Sequence, residues 1–291
     1  MPLIRPRLTD FHDLGVSQST VDFAIPFLDE DLPLFLDPFL LWKSPSLQDQ
    51  SLHGAIVSAF NRLGNSADSV KFEEAAKMLV RLSECDEVGL GSSARRIGKR
   101  IGEKTAREIL ALFAEIPSYS KVGFRHFEEI QLYIEAISKD RVSDIACNLL
   151  KSFLIDYTIE QCEKIGLPRS KTRVAEVYDH QKHQLTTLER VELPINPING
   201  SPLLLVPKRW LRHSPWIAFD DYFNSYIPKD DKYNSVVWDR VTGQLTRVCN
   251  GFVFSVAGLR HPLPSRVFAG TSVAVVTAGS QCLAAVFVCG C

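Results

Sequence analysis

Ser138–Gly166, SKDRVSDIACNLLKSFLIDYTIEQCEKIG, is the stretch on which the reading of the fold turns. Val142, Ile145, Ala146, Leu149, Phe153 and Tyr157 recur at three- and four-residue steps, the period of one buried helical stripe. Leu150 and Leu154 widen the stripe, which predicts a helix packed on two neighbours. Asp140 has the short acceptor side chain of an N-cap, and Gly166 with Pro168 supplies the stop. The segments before this helix read as helical and those after it as short strands and turns. The expected fold class is therefore α+β: a helical N-terminal half preceded by a β-hairpin, and a small β-sheet in the C-terminal half.

Working upstream, residues 21–28 (VDFAIPFL) and 32–42 (LPLFLDPFLLW) read as two strands around the acidic turn Asp29-Glu30-Asp31, with Pro26, Pro33 and Pro38 arguing for edges. Ser44-Pro45 opens a helix running to about Leu63, which Gly64-Asn65-Ser66 breaks. A second amphipathic helix carries Phe72, Ala75, Ala76, Leu79 and Leu82 inward. Helices are also expected from Glu103 to Glu115, ahead of Pro117, and from Phe127 to Ile137. Downstream, 173–178, 185–193 and 201–206, the last following an Asn199-Gly200 turn, read as three strands of a small sheet. The aromatic run from Trp210 to Tyr226 is expected to pack on it as core rather than to stack bases. Residues 1–232 are thus expected to form one domain, with helices over 44–166 and sheet over 170–226.

Residues 233–291 differ. From 241 onward there is no Asp, Glu or Lys, and all three charges are arginines (Arg247, Arg260, Arg266). The other 30 basic and all 34 acidic side chains fall in residues 1–240, and four of the seven cysteines fall in the tail. Three readings compete: out-of-frame translation, a β-rich extension, and a C-terminal membrane anchor. The polar run Thr277-Ala278-Gly279-Ser280-Gln281 counts against the anchor.

The chain has 291 residues, 45% hydrophobic and 23% charged, with a net charge of −1, as in an ordinary soluble globular protein. Global basicity gives no argument for nucleic acid, so such an argument needs a local patch. The opening MPLIRPRLTD lacks the apolar core of a signal peptide, and Cys85, Cys147 and Cys162 lie in helical segments without metal-like spacing. A cytoplasmic location is expected.

Two polar constellations carry chemistry. The first is the glycine-rich basic segment 88–105 (VGLGSSARRIGKRIGEKT), which brings Arg95, Arg96, Lys99, Arg100 and Lys104 ahead of a helix. Such a loop can touch phosphates through backbone N–H groups and cations. Glu103 between Gly102 and Lys104 rules out a P-loop, and no strand leads in as a dinucleotide fingerprint requires. A solvated surface loop is the plain alternative. The second is Asp140, Arg141 and Asp144 in the first turn of the central helix, where acids ordinarily just complement the helix dipole. A metal-dependent nuclease needs carboxylates for a cation and a lysine to stabilise charge. Helix-borne Asp144, strand-borne Glu176 and Glu192, and Lys208 follow an order that resembles the PD-(D/E)xK nuclease arrangement, although the strict Glu-x-Lys pair is missing. Asp144, Glu192 and Lys208 are the catalytic candidates, and Mg²⁺ is the cofactor only under that reading. His180-x-x-His183 lacks an answering Cys, Asp or Glu pair, so no metal-ligand set is assigned.

Three segments together, GLGSSARRIGKRIG (89–102), DRVSDIACNLLKSFLIDYT (140–158) and SPLLLVPKRW (201–210), resemble bacterial proteins of mobile or defence-associated loci. The resemblance covers about residues 20–230. It implies a bacterial origin and a nucleic-acid context, and carries over no catalytic residue. The expected partner is DNA or RNA. The alternatives are a non-catalytic module whose basic loop binds an acidic protein partner, and membrane attachment through the tail.

Overall fold

The computed structural model of the chain describes residues 6–65, 69–93, 96, 98–134 and 137–213, together with the backbone of the strands between 235 and 289 named below. The mixed α+β class holds, with helices mainly in the first half and strands mainly in the second. The chain divides into two compact units, Met1–Ile130 with Ala136–Trp216, and Gln131–Glu135 with Ile217–Cys291. That division falls earlier than the change of composition near 232.

The segment expected as a hairpin takes another form. Helix α1 (Leu8–His12) is followed by chain that makes isolated bridges, Phe23 to Pro207, Phe27 to Arg7 and Leu32 to Leu90, in place of a hairpin ladder. Strand β1 (Phe35–Leu36) pairs with β4 (Leu211–Arg212), far along the chain, rather than with its neighbour. Proline explains this. Pro26 and Pro33 cannot donate to a ladder, and Asp37-Pro38 starts helix α2 (Pro38–Lys43), the Asp37 carboxylate accepting the Phe39 N–H at 3.0 Å.

Helix α3 (Leu47–Gly64) is capped by Ser46, two residues past the expected cap, and α4 (Ser69–Leu82) follows it. Helix α5 (Glu103–Glu115) has the expected bounds, because Gly102 opens it and Ile116-Pro117 closes it into α6 (Pro117–Val122). The segment read as a helix from Phe127 to Ile137 is a short 3-10 turn, Phe127–Leu132. Phe60 is the hub of this half, its ring centroid 5.7, 5.4 and 4.8 Å from those of Phe113, Phe124 and Phe127. Each buried phenylalanine contributes about 2 kcal/mol from area alone.

The central helix is two helices, α7 (Lys139–Leu149) and α8 (Lys151–Ile165), meeting at Leu150. Ser138, not Asp140, is the N-cap of α7. Polar side chains committed to other segments flank the break: Asn148 donates to the carbonyls of Leu82 and Glu84, both at 2.7 Å, and Lys151 to Glu87. Gly166 closes α8 in the left-handed region, as expected. Strands β2 (Ser170–Asp179) and β3 (Gln184–Leu193) form an antiparallel hairpin whose register is irregular between Thr172 and Val177. The third expected strand, 201–206, is buried extended chain bracketed by Pro202 and Pro207. Its Leu205 N–H donates to Thr158 Oγ1 of α8 at 2.9 Å. Leu203 and Leu205 thereby join Leu8, Phe23, Ile25 and Leu28 in one core against α8.

The second unit contains an antiparallel meander, β5 (Ser235–Asp239), β6 (Gln244–Cys249) and β7 (Phe252–Ser255), and a hairpin, β8 (Ser272–Ala278) with β9 (Leu283–Cys289). All five described strands of this unit lie within residues 233–291 and pair only with one another, none with the β2–β3 hairpin. Among the described residues no helix is long and apolar enough to cross a membrane. Trp216, Phe219, Tyr222 and Phe223 lie outside the described residues.

Candidate functional site

The glycine-rich loop and the acids of α7, singled out separately in the sequence, meet. Gly91, at φ +142°, passes its backbone under two carboxylates. A Cβ there would stand 2.7 Å from Asp140 Oδ1 and 3.4 Å from Asp31 Oδ2. At Gly98 a Cβ would overlap the Glu84 carboxylate. These glycines are small because acids lie against the loop, which is a different reason from cradling phosphate.

Around them Arg141 reaches from the first turn of α7. Its Nη1 atom lies 2.8 Å from Glu84 Oε2 and 3.4 Å from Asp144 Oδ2, so one guanidinium nitrogen bridges two carboxylates. One helical turn beyond Cys147, Lys151 donates to both oxygens of Glu87 at 3.1 Å and approaches the Ala175 carbonyl at 3.4 Å. The next residue of β2, Glu176, sits at φ +58° inside the irregular part of the hairpin. Its carboxylate takes Arg100 through both oxygens, at 3.1 and 2.7 Å, and Arg81 at 3.0 Å. A non-glycine residue held at positive φ is a strained position that the surroundings must enforce. Here three ion-pair contacts hold it.

Burial governs the electrostatics. It pushes the Asp31 carboxyl up to about 7, with Asp140, Glu84 and Asp86 adding to the rise and Arg96 opposing it. Burial also raises Glu84, Asp86 and Asp140, and raises Asp144 well above the usual range, with Glu84 and Asp140 reinforcing it and Arg141 opposing. Desolvation outweighs the cations that face these acids, so the centre binds protons more tightly than isolated carboxylates do. At its edge the Arg81 and Arg100 side chains are 49% and 43% exposed, with Lys99 also exposed. The interior is acidic and the rim cationic.

Of the three catalytic candidates only Asp144 belongs here. Glu192 is exposed on β3 opposite Lys171, and Lys208 donates to the carbonyls of Gln18 and Val21, tying down the N-terminal segment. No described hydrogen bond or ion pair joins any two of the three. Lys151 is the lysine of the centre, and Glu84, Glu87 and Glu176 are its further acids. Among the loop cations, Arg96 turns inward to the carbonyls of Phe27, Asp86 and Glu87, Arg100 holds Glu176, and Lys104 faces Glu108 at 3.7 Å. Arg95 lies outside the described residues. A usable signal for Lys151 was present. It shares a face with Cys147, Leu154, Ile155 and Thr158, all buried, and a lysine on such a face needs a partner. The turn histidines are structural: His180 bonds the Leu149 carbonyl at 2.7 Å, and His183 the Tyr178 hydroxyl at 3.2 Å.

Residues 13–218 match a protein family described as "Domain of unknown function (DUF8370)". The match spans every residue of the centre and ends before β5. No curated protein and no solved structure matches the chain.

Proposed function

We propose that this chain, which belongs to the DUF8370 family, acts on nucleic acid, with the Glu84–Asp144 centre hydrolysing phosphodiester bonds in a divalent-metal-dependent reaction. The observation that carries the reading is the bridging of Glu84 and Asp144 by a single Arg141 nitrogen, a cation standing between two acids. Mg²⁺ is commonly held by one or two carboxylates, with water and substrate phosphates completing its shell. Glu84 and Asp144 fit that donor set, and burial is the main cause of their raised proton affinity. Bound there, Mg²⁺ would polarise a phosphoryl oxygen and lower the pKa of a water. Lys151 fixes Glu87 beside the centre. Arg81, Lys99 and Arg100 at the rim supply phosphate contacts. Three buried free thiols, Cys85, Cys147 and Cys162, support a reducing, cytoplasmic setting. The likeness of three sequence segments to proteins of mobile and defence-associated loci supports a bacterial one.

A second reading is a non-catalytic interaction module. It is favoured by the internal pairing of Arg96, Arg100, Arg141 and Lys151, which leaves a largely neutralised network. Titrating binding of the full chain to labelled DNA and RNA against salt tests both. The nucleic-acid reading predicts that log affinity falls linearly with log salt, by about 0.7–0.9 per phosphate contacted. Failure to bind either nucleic acid at low salt would leave the interaction module.

A further inference from the structure

We infer that His53, His126 and Glu128 bind one divalent transition-metal ion, at a site in the core remote in sequence from the carboxylate centre. The three residues come from separate places, His53 from α3, His126 from just before the 3-10 segment and Glu128 from its first turn. One donor atom from each lies within 4.8 Å of the others. Donors at zinc-ligand distances of about 2.1 Å from a shared ion sit about 3.4 Å apart, so a contraction of at most about 1.4 Å closes the set. All three are buried, at 6%, 1% and 3% exposure.

Hydrogen bonding does not account for His53 Nε2 or the Glu128 carboxylate. His53 Nε2 has no hydrogen-bond partner among the described residues, and the Glu128 oxygens have none beyond its own backbone N–H. The Glu128–His126 approach, 3.8 Å from Oε1 to Nδ1, is too long for a hydrogen bond. The adjacent Glu129 gives the contrast. It accepts the His126 N–H at 3.0 Å and the Tyr119 hydroxyl at 2.9 Å, as a buried carboxylate should. A protein that satisfies Glu129 and leaves the buried donors of Glu128 and His53 unpaired within 4.8 Å of each other has a ligand for them.

The surroundings are rigid. Asn61, two turns along α3 from His53, clamps Phe124 through both backbone groups at 2.8 Å, fixing the turn against the helix. Trp42 and Phe39 wall the site, their ring centroids 4.8 and 6.0 Å from that of His126. Asp37 is already taken by the Phe39 N–H and by Arg212 at 3.3 Å, so it is not a further ligand. Two imidazoles and one carboxylate suit Zn²⁺, Fe²⁺ or Co²⁺ and disfavour Mg²⁺ and Ca²⁺, which prefer all-oxygen shells. The ion would join α3 to the 123–128 turn as a structural staple.

The test uses the full chain. Metal content is measured as isolated. The chelator-treated chain is then titrated with Co²⁺, whose visible bands report nitrogen and oxygen ligation. The expected result is one transition-metal ion per chain and saturable cobalt binding. Glu128→Gln and His53→Gln should each weaken that binding by more than about tenfold. His180→Ala, in the hairpin turn, should leave it unchanged. Elemental analysis distinguishes zinc from iron, and either supports the site. Cobalt binding untouched by Glu128→Gln and His53→Gln places the ion elsewhere and overturns the inference. Should either variant lose its far-UV circular dichroism, the unaltered chain decides. Cobalt with imidazole ligation supports the site, and a chain that takes up no cobalt overturns it.

Discussion

Lys151 Nζ lies 3.1 Å from each oxygen of the Glu87 carboxylate, and the lysine side chain is 2% exposed. The pair locks the first residue of α8 to the segment that carries the carboxylate centre. Glu87→Gln would keep one oxygen acceptor but leave the buried ammonium without its countercharge, and removing one partner of a buried pair costs about 3 kcal/mol. Urea unfolding should show a lower midpoint with an unchanged slope.

Two of the positive-φ glycines, Gly166 and Gly91, should respond differently to the same change. At Gly166, φ +71°, an added Cβ meets nothing within 4 Å, so Gly166→Ala costs only backbone strain, about 1 kcal/mol. At Gly91, φ +142°, the same Cβ meets Asp140 Oδ1 at 2.7 Å. Gly91→Ala should therefore lower stability further and displace the Asp140 carboxylate. Equilibrium unfolding of both variants measures the difference.

Glu176 pairs with Arg81 and Arg100, and under the proposed nucleic-acid function it competes with phosphate for them. Glu176→Gln removes that competitor, so nucleic-acid affinity should rise and the dependence of log affinity on log salt should steepen by about one phosphate contact. Binding isotherms at several salt concentrations give the slope.

Asp31 makes the centre sensitive to pH. Its folded pKa, about 7 against an ordinary 3.8, lies on the raised side, so ionisation is disfavoured in the folded chain. The resulting destabilisation is full above pH 7 and disappears as pH falls from 7 towards 4. Asp31→Asn should raise Tm at pH 8 by about 2–4 °C, a value kept small by solvent screening of a partly exposed group, and leave Tm near pH 4 unchanged. Melting curves across that range test the sign.

Where the sequence carried local punctuation, reading it succeeded: α5 begins and ends at Glu103 and Glu115 because Gly102 and Pro117 bracket it. The break at Leu150 was invisible, since the apolar period runs through it and its neighbours Asn148 and Lys151 answer to partners more than 60 residues away. The early hairpin failed because the true partner of β1, at Leu211–Arg212, lies beyond all the helices. Asp144 was legible as an acid at the start of a helix. Arg141 was legible beside it, three residues earlier in the same turn. Glu84 was not, because a long-range pair leaves no mark in local spacing. His53 and His126 share that difficulty, being 73 residues apart. Lys208 misled for the opposite reason. A lysine ending an apolar run looks catalytic until its partners prove to be backbone carbonyls.

The most direct test of the carboxylate centre is cleavage of labelled DNA and RNA by the full chain, with Mg²⁺ and with chelator, beside Asp144→Asn and Glu84→Gln. The account predicts cleavage that requires the metal and falls at least about a hundredfold in both variants, with nucleic-acid binding retained. Cleavage that persists at full rate in both variants, or binding without any metal-dependent cleavage, would contradict it.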